Sequence, residues 1–72
     1  MNMKIKYDPQ VDAAYMDFID KEEKRTSVDY SSEEYDHIIF DYNSAGEVIG
    51  IEFLQVSTEF PQLLKGIADN TI

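Results

Sequence analysis

The chain has no cysteine and no tryptophan, one histidine, three glycines and two prolines. Without cysteine there is no disulfide framework, no thiolate nucleophile and no thiolate metal site. That absence fits a reducing cytoplasm, the expected location. Apolar runs reach only a few residues, far short of the roughly 20 that a membrane-spanning helix needs. The opening MNMKIKYD lacks the apolar stretch of a secretory leader, so none is expected. Positive charge is scarce as well: six Lys and Arg stand against fifteen Asp and Glu, for a net charge of −9. Nucleic acid and anionic membranes are therefore poor partners, because binding to them rests on neutralising phosphate. A basic protein would be attracted, mainly through faster encounter. The same charge also serves solubility without any partner.

What is present is apolar residues at 43% of the chain, ordinary for a globular fold and too many for a disordered one. Seventy-two residues make one domain, 1–72, and a chain this short buries only about 60% of its unfolded surface. The organising stretch is HIIFDYNSAGEVIGIEFL, His37 to Leu54. Ile38, Phe40 and Tyr42 fall on one side of the first arm, and Ile49, Ile51 and Phe53 on one side of the second. Alternation with a period of two sends side chains to opposite faces of a strand, and the β-branched and aromatic content agrees. Asn43-Ser44-Ala45-Gly46-Glu47 reads as the turn, with Gly46 free to take positive φ. The stretch also approaches a calcium loop, Asp41-x-Asn43-x-Ala45-Gly46 with Glu52. It lacks the fifth-position oxygen, however, and its flanks have strand rather than helix periodicity.

In chain order, Met3 to Asp8 alternates and reads as a strand, and Asp8 to Asp12 as a turn in which Asp8 can bond the backbone two residues on. Ala14, Met16 and Phe18 alternate with Tyr15, Asp17 and Ile19, which gives a second strand. A helix opening at Pro9 is the rival. DKEEK is a charged loop. Thr26, Val28 and Tyr30 suggest a third strand over Arg25–Tyr30, and Ser31 to Asp36 reads as a polar loop. Ser57 or Thr58 would cap a short helix over about 58–68, with Pro61 in its first turn and Phe60, Leu63, Leu64 and Ile67 on its apolar stripe. The expected architecture is α+β: a four- to five-stranded antiparallel β-meander with one short C-terminal helix.

KIKYDPQVDAAYMDF followed by IIFDYNSAGEVIGIEFL resembles a family of small prokaryotic proteins of unknown function, family 2283. Its pattern runs KIxYDxxxDALYI and later ILDYDxxGxVVGIEIL. The matching residues are Lys4, Ile5, Tyr7, Asp8, Asp12, Ala13, Tyr15, Asp41, Tyr42, Gly46, Val48, Gly50, Ile51 and Glu52. Ala14 stands where the family prefers Leu, and Phe40 and Phe53 replace smaller aliphatics, so that a larger Phe would fill volume lost at Ala14. The resemblance covers residues 3 to 55. It implies a β-rich core and a strand rather than a helix over residues 13 to 19, and it implies no established activity. Members often lie beside genes for small toxin-like RNase-fold proteins, which implies an antitoxin-like role.

Three carboxylates, Asp8, Asp12 and Asp41, are the candidates for a divalent metal or a metal-dependent enzyme, if one sheet end gathers them. Local bonding to turn amides is the plainer use of each. His37 is a candidate base only with an orienting partner and a pocket. The sequence has no phosphate-cradling glycine loop, no Ser-His-Asp spacing and no zinc pattern. No catalytic residue, cofactor or enzyme activity is expected. Opposite the core face, Tyr15, Ile19, Ile39, Val48 and Leu54 are apolar among charges, as an interaction surface would be. The expected function is a non-catalytic protein-binding module that pairs with itself as a homodimer and with a small basic protein.

Overall fold

The computed structural model describes residues 4–18 and 28–69. Within them five strands run antiparallel in one sheet: β1 (Lys4–Asp8), β2 (Ala13–Asp17), β3 (Tyr30–Tyr35), β4 (Ile38–Tyr42) and β5 (Val48–Leu54). Two short helices follow, α1 (Val56–Glu59) and α2 (Pro61–Ala68). The strand order is β1-β2-β5-β4-β3. Two hairpin-connected sets, β1–β2 and β3–β4–β5, are thus joined where β5 pairs with β2.

The hairpins close by local chemistry. The Asp8 carboxylate accepts the Gln10 N–H at 3.0 Å, and Asp12 ends that turn at φ 54°. Between β4 and β5, the Asn43 side-chain oxygen accepts the N–H groups of Ala45 and Glu47 at 3.0 and 2.9 Å. Gly46 takes φ 82° there. Asn43 is buried, and its carboxamide is used up inside the turn. Strands flank this turn on both sides, as the alternation requires, where an EF-hand loop would have helices.

Register sorts the side chains into two faces. On the inner face, Ile5, Met16, Ile51, Phe40 and Ser32 form one row across the sheet, and Tyr7, Ala14, Phe53, Ile38 and Tyr35 the next. Phe53 is the direct cross-strand partner of Ala14, which is 1% exposed. The larger ring therefore stands beside the smaller residue. The helices pack on this inner side. Phe60 meets Phe53 edge to face at 5.4 Å between ring centroids, α2 lies against β1, and Val56 is fully buried.

Three expectations shift. Ser31–Tyr35 is not loop but the body of β3, and the strand expected over Arg25–Tyr30 begins only at Tyr30; residues 25–27 lie outside the described residues. As an edge strand, β3 exposes all its side chains except Ser32, which is half-buried, so it carries no apolar alternation to read. The C-terminal helix is broken at Phe60, whose φ of −135° and ψ of 56° are not helical. Pro61 clashes with a helical residue before it, so the chain stops there and restarts with Pro61 in the first turn of α2. Finally, Ser57 and Thr58 lie inside α1. The capping position is Gln55, at φ 53° and with no side-chain cap bond.

Candidate functional site

The cap that Gln55 does not provide comes from another element. Asp12 sits at the end of the β1–β2 turn, 45 residues from Ser57 in sequence. Its carboxylate accepts the Ser57 N–H at 3.0 and 3.3 Å and the Ser57 hydroxyl at 2.7 Å. Its carbonyl accepts the Val56 N–H at 3.0 Å. The Tyr7 hydroxyl donates to the same carboxylate at 2.6 Å. An acceptor at the first amides of a helix satisfies groups that have no partner within the helix. These bonds favour the charged form, so the Tyr7 and Ser57 hydroxyls hold the Asp12 carboxyl below its ordinary value. Conversely, donation to Asp12 raises the Tyr7 phenol.

Asp41 is occupied differently. The Tyr15 hydroxyl donates to it at 2.9 Å and the Ser31 hydroxyl at 2.6 Å. On this outer face, Lys4, Asp17, Gly50, Asp41 and Ser31 form a row across all five strands. Tyr15 stands in the neighbouring row, and its ring leans over Gly50 to reach Asp41. A β-carbon built on Gly50 would lie 1.9 Å from the Tyr15 hydroxyl oxygen. Glycine is required here by the ring, since no positive φ is involved.

The three candidate aspartates are therefore not gathered. Ala13, beside Asp8, is level with Leu54, whereas Asp41 is level with Gly50. Four residues of strand separate those levels, about 13 Å. Among the described residues no three His, Asp or Glu side chains are placed to hold a metal ion. His37 lies at the start of β4 with φ 66°. Its Nε2 is 3.6 Å from Glu59 Oε1, and its carbonyl accepts the Leu54 N–H at 2.8 Å. The first contact ties the start of β4 to α1, and the second joins it to the end of β5. An open hollow of about 390 Å³ beside the β1–β2 turn is lined by Lys6, Asp8, Val11, Tyr15 and Glu52 among others, with no Ser or His among them.

The expected surface residues divide. Tyr15, Ile39 and Leu54 lie on the outer face, where Glu52 stands between Tyr15 and Ile39 in one row. A register shift after Asp41 puts Val48 level with Tyr42 of the inner set. Ile19 lies outside the described residues.

The more continuous apolar surface is the inner face over β5, β4 and β3. Phe40, Tyr42, Ile38 and Ile51 are only half-buried there. Tyr30 stacks on Tyr42 at 4.6 Å and is 49% exposed. Burial, and then Glu34 nearby, raises the Tyr42 phenol. The β3 edge beside this face carries Asp29, Glu33, Glu34 and Asp36. Sequence reasoning missed this surface because it took the inner face as closed core. It also missed the Tyr15–Gly50–Asp41 contact and the tie from Asp12 to Ser57. A glycine in a strand interior signals close approach of another group, and Gly50 was that signal.

No helix among the described residues is long and apolar enough to cross a membrane. No curated protein and no solved structure matches the chain. The profile of a family described as proteins of unknown function, DUF2283, matches residues 4–57, from β1 to the Ser57 that Asp12 caps. The chain belongs to that family.

Proposed function

We propose that the chain is a non-catalytic protein-binding module whose partner is a small basic protein. The observation that carries this reading is the half-open aromatic face of β5, β4 and β3 beside an edge strand rich in Asp and Glu. An apolar patch rimmed by charge is the form an interaction surface takes. The net charge of −9 supplies long-range attraction for a basic partner and repels nucleic acid. The aspartates that could have served chemistry are engaged in turns and ties, which favours binding over catalysis. An antitoxin-like role, covering a small basic toxin, is the form this binding takes in our reading.

The test is affinity capture with the tagged full chain in host extract at low salt. A basic protein should be retained and then released as salt screens the attraction. Recovery of no protein partner at low salt would sink the reading.

A further inference from the structure

We infer that the hollow on the outer face beside the β1–β2 turn binds a free α-amino acid with an apolar side chain. The ligand's carboxylate meets the Lys6 ammonium, its ammonium meets the Glu52 carboxylate, and its side chain lies on the apolar wall of the turn. The inference goes beyond the binding-module reading, because it uses the opposite face of the sheet.

Register makes the hollow. On the outer face Lys6, Tyr15 and Glu52 form one row, and Asp8, Ala13 and Leu54 the next. Ala13 is small and 9% exposed, so it gives the second row a low floor. The Tyr15 ring does not cover that floor. It leans over Gly50 to reach Asp41, and Gly50 is level with Asp17, on the side of Tyr15 away from Ala13. Pro9 and Val11 of the turn line the hollow as well. The space left is about 390 Å³, within the roughly 300–1,000 Å³ of small-ligand sites.

Both walls are held in place. The Tyr15 hydroxyl is fixed by its 2.9 Å bond to Asp41. The turn is closed by Asp8 on the Gln10 N–H and fastened to α1 by Asp12 on Ser57 and Val56. A preformed site spares its ligand the cost of ordering the protein. The polar ties that hold the fold thus also shape the hollow.

Charge selects the ligand. Lys6 and Glu52 both line the hollow, and neither side chain makes a hydrogen bond or ion pair among the described residues. Glu52 is half-buried, so its carboxylate is partly withdrawn from water without a partner, which is costly. Two strand spacings, about 10 Å, separate the backbones of Lys6 and Glu52, with Tyr15 between them. The third charged group, Asp8, already accepts the Gln10 N–H. A ligand of one charge would satisfy Lys6 or Glu52 and be repelled by the other. A zwitterion satisfies both, and the apolar Val11, Pro9 and Ala13 beside them suit an apolar side chain.

Amide-shift titration of the full chain with L-leucine at about 150 mM NaCl, where attraction to the net charge is screened, tests this. Saturating shifts are expected at Val11, Ala13 and Tyr15, with α2 unmoved and a dissociation constant of about 1 mM or below. N-acetyl-leucine lacks the ammonium and leucinamide lacks the carboxylate; each should bind about three- to fivefold more weakly. Lys6→Met should erase the preference for leucine over leucinamide, and Glu52→Gln the preference over N-acetyl-leucine. Glycine, with no side chain, should bind more weakly than leucine.

Absence of saturating shifts up to about 20 mM L-leucine overturns the inference. Equal binding of leucine and either derivative overturns it too, as do preferences that survive in Lys6→Met and Glu52→Gln, or glycine binding as tightly as leucine. None of these outcomes bears on the basic partner, which affinity capture tests separately.

Discussion

Gly50→Ala is a single added methyl whose cost can be worked from contacts. The new carbon would lie 1.9 Å from the Tyr15 hydroxyl oxygen, 2.4 Å from Cζ and 3.0 Å from Cε2. No rotation of a terminal group relieves three such contacts, so the ring must leave. Leaving breaks its bond to Asp41, and a hydrogen bond to a charged group contributes about 1.5–3 kcal/mol. Lifting a half-buried ring exposes apolar area, about 60–80 Å², worth about 1.5–2 kcal/mol. Against this, alanine restricts the unfolded chain and returns about 0.4–1 kcal/mol. The net loss is about 2–4 kcal/mol, a large share of the roughly 4–11 kcal/mol expected for a domain of this size.

The control is Tyr15→Ala. With the ring gone, the three nearest contacts disappear, and Gly50→Ala should be neutral or slightly stabilising. Urea unfolding of the wild type, both single variants and the double variant closes the cycle, and the interaction energy should be about 3–5 kcal/mol, because the gain from alanine is common to both backgrounds. Equal losses from Gly50→Ala in both backgrounds, within about 0.5 kcal/mol, would refute the account. Glycine would then be required by the backbone rather than by the ring.

Asp12→Asn should lower the urea midpoint at neutral pH. Asp12 is held below its ordinary value by Tyr7 and Ser57, so its contribution is present above the unfolded value of about 3.9 and lost as pH falls through the folded value. Wild type and variant should therefore converge in acid, and a gap that persists there would refute the assignment. The raised Tyr7 phenol sets the other side: its contribution is full below its unfolded value of about 10 and lost at more alkaline pH. Ala14→Leu should cost about 1–3 kcal/mol through overpacking, and Phe53→Ile should recover part of that loss because the two residues are cross-strand partners; additive losses in urea unfolding would count against the pairing. Phe40→Ala should cost roughly half of the 3–5 kcal/mol lost by a fully buried Phe, since the ring is half-buried. Chemical denaturation at low micromolar concentration, where the chain is expected to be monomeric, measures it.

How far the fold could be read depended on whether each strand had a dry side. In β4 and β5, Ile38, Phe40, Ile51 and Phe53 all point inward, and their alternation in sequence is that packing made visible. Ala14 and Met16 gave the same signal in β2. In contrast, β3 has only the sheet edge to satisfy, and Ser31, Glu33 and Glu34 are compatible with strand or loop alike. Its flanking Tyr30 and Tyr35 were the only hint. The break at Phe60 was legible in principle from Pro61, which restricts the residue before it. The site residues were harder. Asp8, Asp12 and Asp41 look equivalent in sequence because each lies near a turn. Only the β2–β5 register places Asp41 four residues along β5 from the level of Asp8.

The same register explains why the aspartates read as structural. The plainest use of an aspartate near a turn is to bond that turn's own amides. Asp12 instead spends both oxygens on Tyr7 and Ser57, which fastens the β1–β2 turn to the first turn of α1. Asp41 spends both on Tyr15 and Ser31, which links β2 to β3 across two intervening strands. With Val56 as the one large side chain fully buried among the described residues, the apolar core alone gives limited stability. Polar ties between distant segments then matter more than in a larger domain. The Tyr15–Asp41–Ser31 tie lies on the outer face and takes nothing from the inner aromatic face.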